Sequence, residues 1–193
     1  MRIVGGTHRG RKLFEPKGGD VTRPTADRVR EACASVLESA LPDGIAGASV
    51  LDAFAGTGAF GLEMVSRGAR RVTFFDADRA ASALVRKNVG LLGLSPDVAT
   101  VVQADVLVSA HRGSVPGAPF SIVLLDPPYA FGTEPVAALL RDLASGGLLA
   151  PGAIVLFERS GKTDALSVEG FEYLREKRYG KTNVDVLRYA PDA

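Results

Sequence analysis

Two groups of residues in this sequence have types and spacing suited to chemistry. The first is Asp126-Pro127-Pro128-Tyr129, which follows directly on the apolar run Phe120-Ser121-Ile122-Val123-Leu124-Leu125. Proline fixes φ, lacks an N–H and biases the residue before it away from helix, so this turn is stiff and its carbonyls are free to accept. A carboxylate beside a proline carbonyl matches the two N–H bonds of a planar exocyclic amine, and Tyr129 can stack on the ring that carries the amine. Asp-Pro-Pro is also ordinary turn chemistry. Its weight therefore depends on what accompanies it.

The second group is Gly56-Thr57-Gly58-Ala59-Phe60-Gly61, which fits G-x-G-x-x-G, with Asp76 twenty positions after Gly56. Glycines let the backbone approach a cofactor, the following helix offers unpaired N–H groups, and an acid at that place accepts ribose hydroxyls. A dinucleotide is one reading. Against it, Asp52 closes the first strand and would repel a pyrophosphate but attract a cofactor carrying an ammonium and a sulfonium. Gln103-Ala104-Asp105 after the third strand offers a further acceptor, suited to an adenine amine. Carboxylates at four successive strand ends, Asp52, Asp76, Asp105 and Asp126, suit S-adenosylmethionine better than NAD. Read singly, Asp52, Asp78 and Asp105 are also plain helix caps or loop acids.

The elements that must position these groups are legible in the hydrophobic pattern. Strands are expected at 49–54, 71–76, 98–103, 120–126 and 153–158, alternating with helices at 62–66, 78–92, 105–112 and 134–145. That rhythm implies an α/β fold with a mostly parallel sheet covered on both faces. Residues 171–179 and 184–189 alternate around a turn at Tyr179-Gly180-Lys181-Thr182, which adds an antiparallel hairpin. An earlier helix opens at Arg23-Pro24-Thr25, with Thr25 as N-cap, and buries Val29, Ala32, Cys33, Val36, Leu37 and Ala40. Residues 1–23 read as a small basic β-hairpin standing off the main body, and 24–193 as the catalytic domain.

Composition limits the class. With 193 residues, 46% hydrophobic and 23% charged, the chain resembles a globular protein with one well-filled core. No apolar run approaches the roughly 20 residues of a membrane span, and the N-terminus lacks a signal-peptide pattern. A single cysteine fits a reducing cytoplasm, and with two histidines it gives no zinc site. Net charge is +1, unevenly spread: residues 1–30 hold eight Lys and Arg against three acids, an excess of five, which leaves −4 elsewhere. The arm, with Arg2, Arg9, Arg11 and Lys12, together with Arg28, suits a polyanion.

Together these motifs resemble the S-adenosylmethionine-dependent methyltransferases with a Rossmann-like seven-stranded sheet, among them those with a D/N-P-P-Y/F signature that methylate exocyclic base nitrogens. Arg2-Ile3-Val4-Gly5-Gly6, Arg9-Gly10-Arg11-Lys12-Leu13, Arg23-Pro24-Thr25 with Asp27-Arg28-Val29-Arg30-Glu31, Asp52 to Gly58 and Asp126 to Tyr129 make the chain similar, over nearly its whole length, to the small bacterial enzymes acting on guanine N2 of 16S ribosomal RNA. The resemblance implies that Asp52, Phe54, Gly56, Thr57 and Gly58 line the cofactor's methionine end. Asp76, where many relatives have Glu, would hold the ribose, and Ala104 and Asp105 the adenine. Arg23, Pro24 and Thr25 would close the pocket, and Asp126, Pro127, Pro128 and Tyr129 would hold the guanine. It implies S-adenosylhomocysteine as product, no metal, and a cytoplasmic monomer working on 16S rRNA in the small subunit or an assembly intermediate. Adenine N6, a protein glutamine amide, or a non-catalytic RNA-binding role stay open as alternatives.

Overall fold

The computed structural model describes residues 1–16, 24–128 and 131–191, without the side chains of 24–26. Arg23 and Tyr129 therefore lie outside the described residues, as do the side chains of Pro24 and Thr25. The elements run α1 (Pro24–Ala40), β1 (Ser49–Asp52), α2 (Ala59–Ser66), β2 (Arg71–Asp76), α3 (Arg79–Leu91), β3 (Ala99–Gln103), α4 (Val106–His111), β4 (Phe120–Leu125), α5 (Glu134–Ser145), β5 (Leu149–Ser160), β6 (Phe171–Tyr179) and β7 (Thr182–Tyr189). They form one seven-stranded sheet in the order β3-β2-β1-β4-β5-β7-β6. Strands β1 to β5 pair in parallel, while β7 runs antiparallel to β5 and β6. The expected sheet and its terminal hairpin are thus both present.

The parallel strands are buried on both faces, so successive residues enter different cores. Val50, Phe74, Ile122, Leu124, Ile154 and Leu156 pack with residues of α1, α2 and α3. Leu51, Phe75, Val123, Leu125, Val155 and Phe157 pack with α4 and α5 on the other side. This alternation fixes which strand-end side chains share a face. No helix among the described residues is long and apolar enough to cross a membrane.

Three expectations need correction. Helix α1 begins at Pro24, so Thr25 lies in its first turn and is not the N-cap; proline is well placed at a first helical position, where no N–H is needed. Helix α2 begins at Ala59 because Gly58 takes the left-handed N-cap conformation at φ 76°, which shortens the glycine turn. The third concerns the N-terminal hairpin, which forms through the Arg2–Lys12 bridge but does not stand off the body. Ile3 and Leu13 belong to the α1–α3 core. The fully buried carboxylate of Glu63 accepts the N–H groups of Val4 and Gly5, both at 2.8 Å, and pairs with Arg67 Nε at 2.9 Å. Buried Asn88 of α3 accepts from Phe14 N at 2.8 Å and donates to the carbonyls of Phe14 and Thr57. The hairpin is thereby tied to the same helix that supports the glycine turn.

Candidate active site

Strand parity brings the carboxylates together. Asp52 continues the alternation of Val50, Asp76 that of Phe74, and Asp126 that of Ile122 and Leu124, so all three turn toward the α1–α3 face at the carboxyl edge of the sheet. Glu158 continues Ile154 and Leu156 in the same way. Leu125 pairs with Phe157 across β4 and β5, which sets Asp126 and Glu158 side by side.

Two adjoining cavities open along this edge. One, of about 610 Å³, is lined by Phe54, Gly56, Asp76, Ala104, Asp105, Asp126, Pro127, Pro128, Phe131 and Glu158 among others. The second, of about 440 Å³, is bordered by Met1, Arg30, Asp52, Phe54, Gly56, Thr57, Asp126, Glu158, Tyr179 and Thr182 among others. Both sizes suit a small-molecule site. Asp126 and Glu158 stand in the wall that the two share.

The turn between them is locally determined. Gly56, at φ 55°, has open space where a Cβ would stand, so its backbone faces the cavities directly. Its N–H donates to Asp76 Oδ2 at 2.8 Å, while Asp76 Oδ1 accepts from Asp78 N at 2.9 Å. Each oxygen keeps a lone pair for a further donor such as a ribose hydroxyl. Gly61 is required by packing: a Cβ there would meet Phe74 Cε1 at 2.3 Å and Asp52 Oδ2 at 2.9 Å. Gly58 borders neither cavity; it is buried against Val85 and Phe74, so its part is close helix–strand packing rather than ligand contact. Asp105 reaches the larger cavity with one oxygen committed, since Oδ1 caps α4 by accepting from Leu107 N at 2.8 Å. Asp78 is the N-cap of α3.

Next to Asp126, the Pro128 carbonyl is taken by Phe131 N–H at 2.8 Å, whereas the Pro127 carbonyl accepts no hydrogen bond among the described residues. Phe131 packs edge-on to Phe54 with ring centres 5.5 Å apart. Arg2, Arg9, Arg11, Lys12 and Arg28, which the sequence marks for a polyanion, are all exposed.

The electrostatics favour a cationic ligand. Burial pushes the Asp52 carboxyl up to about 7, with the charges of Asp126 and Asp76 adding to it and the Gly61 N–H, 3.0 Å away, opposing. Solvent reaches Asp126 through the cleft, yet the protein crowded around it raises its carboxyl to about 6. Glu158 is raised to about 7, first by burial and then by the Asp126 charge. An ammonium or sulfonium relieves such a cluster and a pyrophosphate worsens it. The acceptors near Gly56, Asp76 and Asp105 and the carboxylate at Asp52 thus fit S-adenosylmethionine.

A carboxyl whose folded pKa is raised binds its proton more tightly when folded, so its ionisation costs stability as pH rises from about 4 to about 7. Without cofactor, Asp52→Asn is therefore expected to melt above the wild type at pH 8, with the gap narrowing by pH 5 to less than half of that. Calorimetry at the two values checks this; a gap independent of pH would mean that Asp52 does not titrate in this window.

The sequence reading missed Glu158, Phe131, Arg30 and Met1 as lining residues. Phe131 and Glu158 carry only a weak signal, an aromatic after the Pro-Pro turn and an acid at the end of a strand. Tyr179 and Thr182, quoted as a turn without a role, now border the smaller cavity.

A family model described as "Conserved hypothetical protein 95" matches residues 1–188. "Ribosomal RNA small subunit methyltransferase D" of Haemophilus influenzae is 33% identical over 181 residues, covering 93% of this chain and 89% of its own. The protein of the same name from Escherichia coli strain K12 is 40% identical over 160 residues, 82% of this chain and 74% of its own. The solved structure of yhhF from Escherichia coli has a TM-score of 0.81 at 32% identity, over 98% of each chain. A "rRNA methyltransferase aviRa from Streptomyces viridochromogenes", at TM-score 0.70 and 20% identity over 93% of this chain and 90% of its own, shares the fold, that of the class I methyltransferases. With the family model matched almost end to end, the chain belongs to the "Conserved hypothetical protein 95" family, that of ribosomal RNA small subunit methyltransferase D.

Proposed function

We propose that this protein transfers the methyl group of S-adenosylmethionine to the exocyclic N2 of a guanine in 16S ribosomal RNA. The observation that carries the reading is Asp126, in the wall between the two cavities, followed by Pro127 in the larger one, whose carbonyl accepts no hydrogen bond among the described residues, beside the carboxylates of Asp52 and Glu158. The names of its relatives support a small-subunit RNA substrate, and the D-P-P-Y motif supports a planar amine.

When bound, the cofactor supplies an electrophilic methyl on a sulfonium. Asp52, Gly56 and Thr57 would hold its methionine end, Asp76 its ribose and Ala104 with Asp105 its adenine. The guanine amine is a poor nucleophile because its lone pair is delocalised into the ring. Acceptance of its two N–H bonds by Asp126 and the Pro127 carbonyl favours a pyramidal nitrogen, and Asp126 takes up the proton that is released. Tyr129 would stack on the base, which must leave its own stack to enter.

The test is transfer of radiolabelled methyl to small ribosomal subunits lacking the modification, followed by nucleoside analysis. Label in N2-methylguanosine is the expected result. Label on adenosine or on protein would overturn the substrate while keeping the fold.

The exposed cations of the hairpin would meet phosphates. Arg9→Ala with Arg11→Ala is expected to lower the slope of log affinity against log salt by about 1.5, near 0.7 to 0.9 for each phosphate that is no longer neutralised. Titration of the RNA at several salt concentrations measures it, and an unchanged slope would leave both residues in solvent.

A further inference from the structure

Asp126 and Glu158 are neighbours by construction. The residues before them, Leu125 and Phe157, are paired in adjacent parallel strands, which lie roughly 4.8 Å apart. Both side chains continue the alternation that faces α1, and both border both cavities. Neither carboxylate has a hydrogen-bond or ion-pair partner among the described residues. The nearby Arg30 guanidinium is held by Asp27 and the Arg2 carbonyl through Nη2, while its Nε has no partner among the described residues. Two adjacent carboxylates repel each other, and the pair gains most from a ligand edge carrying two adjacent donors.

Among the bases, guanine presents that edge, with N1–H directly beside the N2 amine. Adenine and cytosine set their amines beside a ring nitrogen that is itself an acceptor, and its lone pair would point at the second carboxylate. We infer that Glu158 determines base specificity by accepting the N1–H of the target guanine while Asp126 accepts from its N2 amine. This rests on the guanine-N2 reading above and adds to it a residue that selects the base. Above about pH 7, where Glu158 is ionised, leaving this half-buried carboxylate opposite an acceptor costs more than losing a neutral hydrogen bond, so the discrimination is large.

A target RNA in which the acceptor guanosine is replaced by 2-aminopurine riboside tests this directly. That base keeps the 2-amino group but has an unprotonated N1, and its fluorescence rises when it leaves the stack, which reports entry independently of turnover. For the wild type, the expected result is a fluorescence rise on binding with kcat/KM about 100-fold or more below that of the guanine RNA. In Glu158→Gln the amide can donate to N1, and the ratio between the two RNAs is expected to fall to within about tenfold. Loss of O6 from the analogue affects both proteins alike, so the change in ratio isolates N1. A variant that loses activity equally on both RNAs, with the ratio unchanged, overturns the role of Glu158 and leaves N2 methylation standing. So does a wild type that methylates both equally. Methyl found away from guanine N2 overturns the functional reading, and this inference with it.

Discussion

Replacement of Asp126 by alanine is expected to lower methyl transfer by about 10³-fold or more while leaving S-adenosylmethionine affinity within about threefold. Asp126 follows β4 in the wall between the cavities, whereas Asp76 and Asp105, proposed to accept from the ribose and the adenine, lie at the end of β2 and just after β3, beyond β1. In the proposed mechanism, removal of its carboxylate takes away an acceptor for the amine and the group that receives the proton, both of which act at the nucleophile. The effect therefore falls on kcat. The substitution takes one negative charge from the cluster but also lets Asp52 and Glu158 ionise more readily, and because these effects offset, cofactor binding should lose little. Single-turnover transfer and calorimetric titration of the cofactor separate the two. If turnover persists in a folded Asp126→Ala protein, the amine is activated elsewhere; if cofactor binding collapses instead, Asp126 belongs to the cofactor half.

The second large effect is on stability. Arg159→Ala is expected to cost about 3–5 kcal/mol and to lower Tm by roughly 10–15 °C, read by denaturant and thermal unfolding. Asp185 of β7 is fully buried and accepts from Arg159 Nε at 2.8 Å and Nη2 at 3.0 Å, from Leu166 N at 3.1 Å and from the Tyr173 hydroxyl at 2.9 Å. Arg159 also donates to the Thr163 carbonyl and to Glu176. Without the guanidinium, Asp185 remains as a buried charge with only neutral donors. Replacement of both partners by leucine should cost less than Arg159→Ala, because no charge is then left behind. A loss below about 1 kcal/mol in Arg159→Ala would show that water or local unfolding satisfies Asp185. The network also matters for the site. Arg159 follows Glu158 directly, and β7 begins at Thr182 on the cavity wall, so slackening of the β5–β7 pairing moves both.

Local chemistry wrote much of this protein into its sequence. Apolar runs bounded by glycine and proline specify parallel strands, and the pattern of α5 gives Glu134–Ser145 as found. Asp52, Gly56, Asp76, Asp105 and Asp126 were legible because each sits at a strand end or in the turn that follows it, where a βαβ chain must present its ligand-binding edge. The ends of β5 were less so. It runs from Leu149 to Ser160 because pairing with β4 and β7 extends it beyond its hydrophobic centre.

Three features depended on partners far away in the chain. The hairpin docks because Val4 and Gly5 meet Glu63, about 60 residues on, and because Phe14 meets Asn88. Gly58 reads as a ligand glycine from its motif, and only the approach of Val85 makes it a packing residue. Glu158 by itself is an acid at a strand end like many others. It gains a role when the β4–β5 register sets it beside Asp126 and strand parity turns both to one face. Residue type and local spacing settle which groups can do chemistry; the register between strands settles which of them meet, because it is fixed by hydrogen bonds and packing summed over the whole sheet.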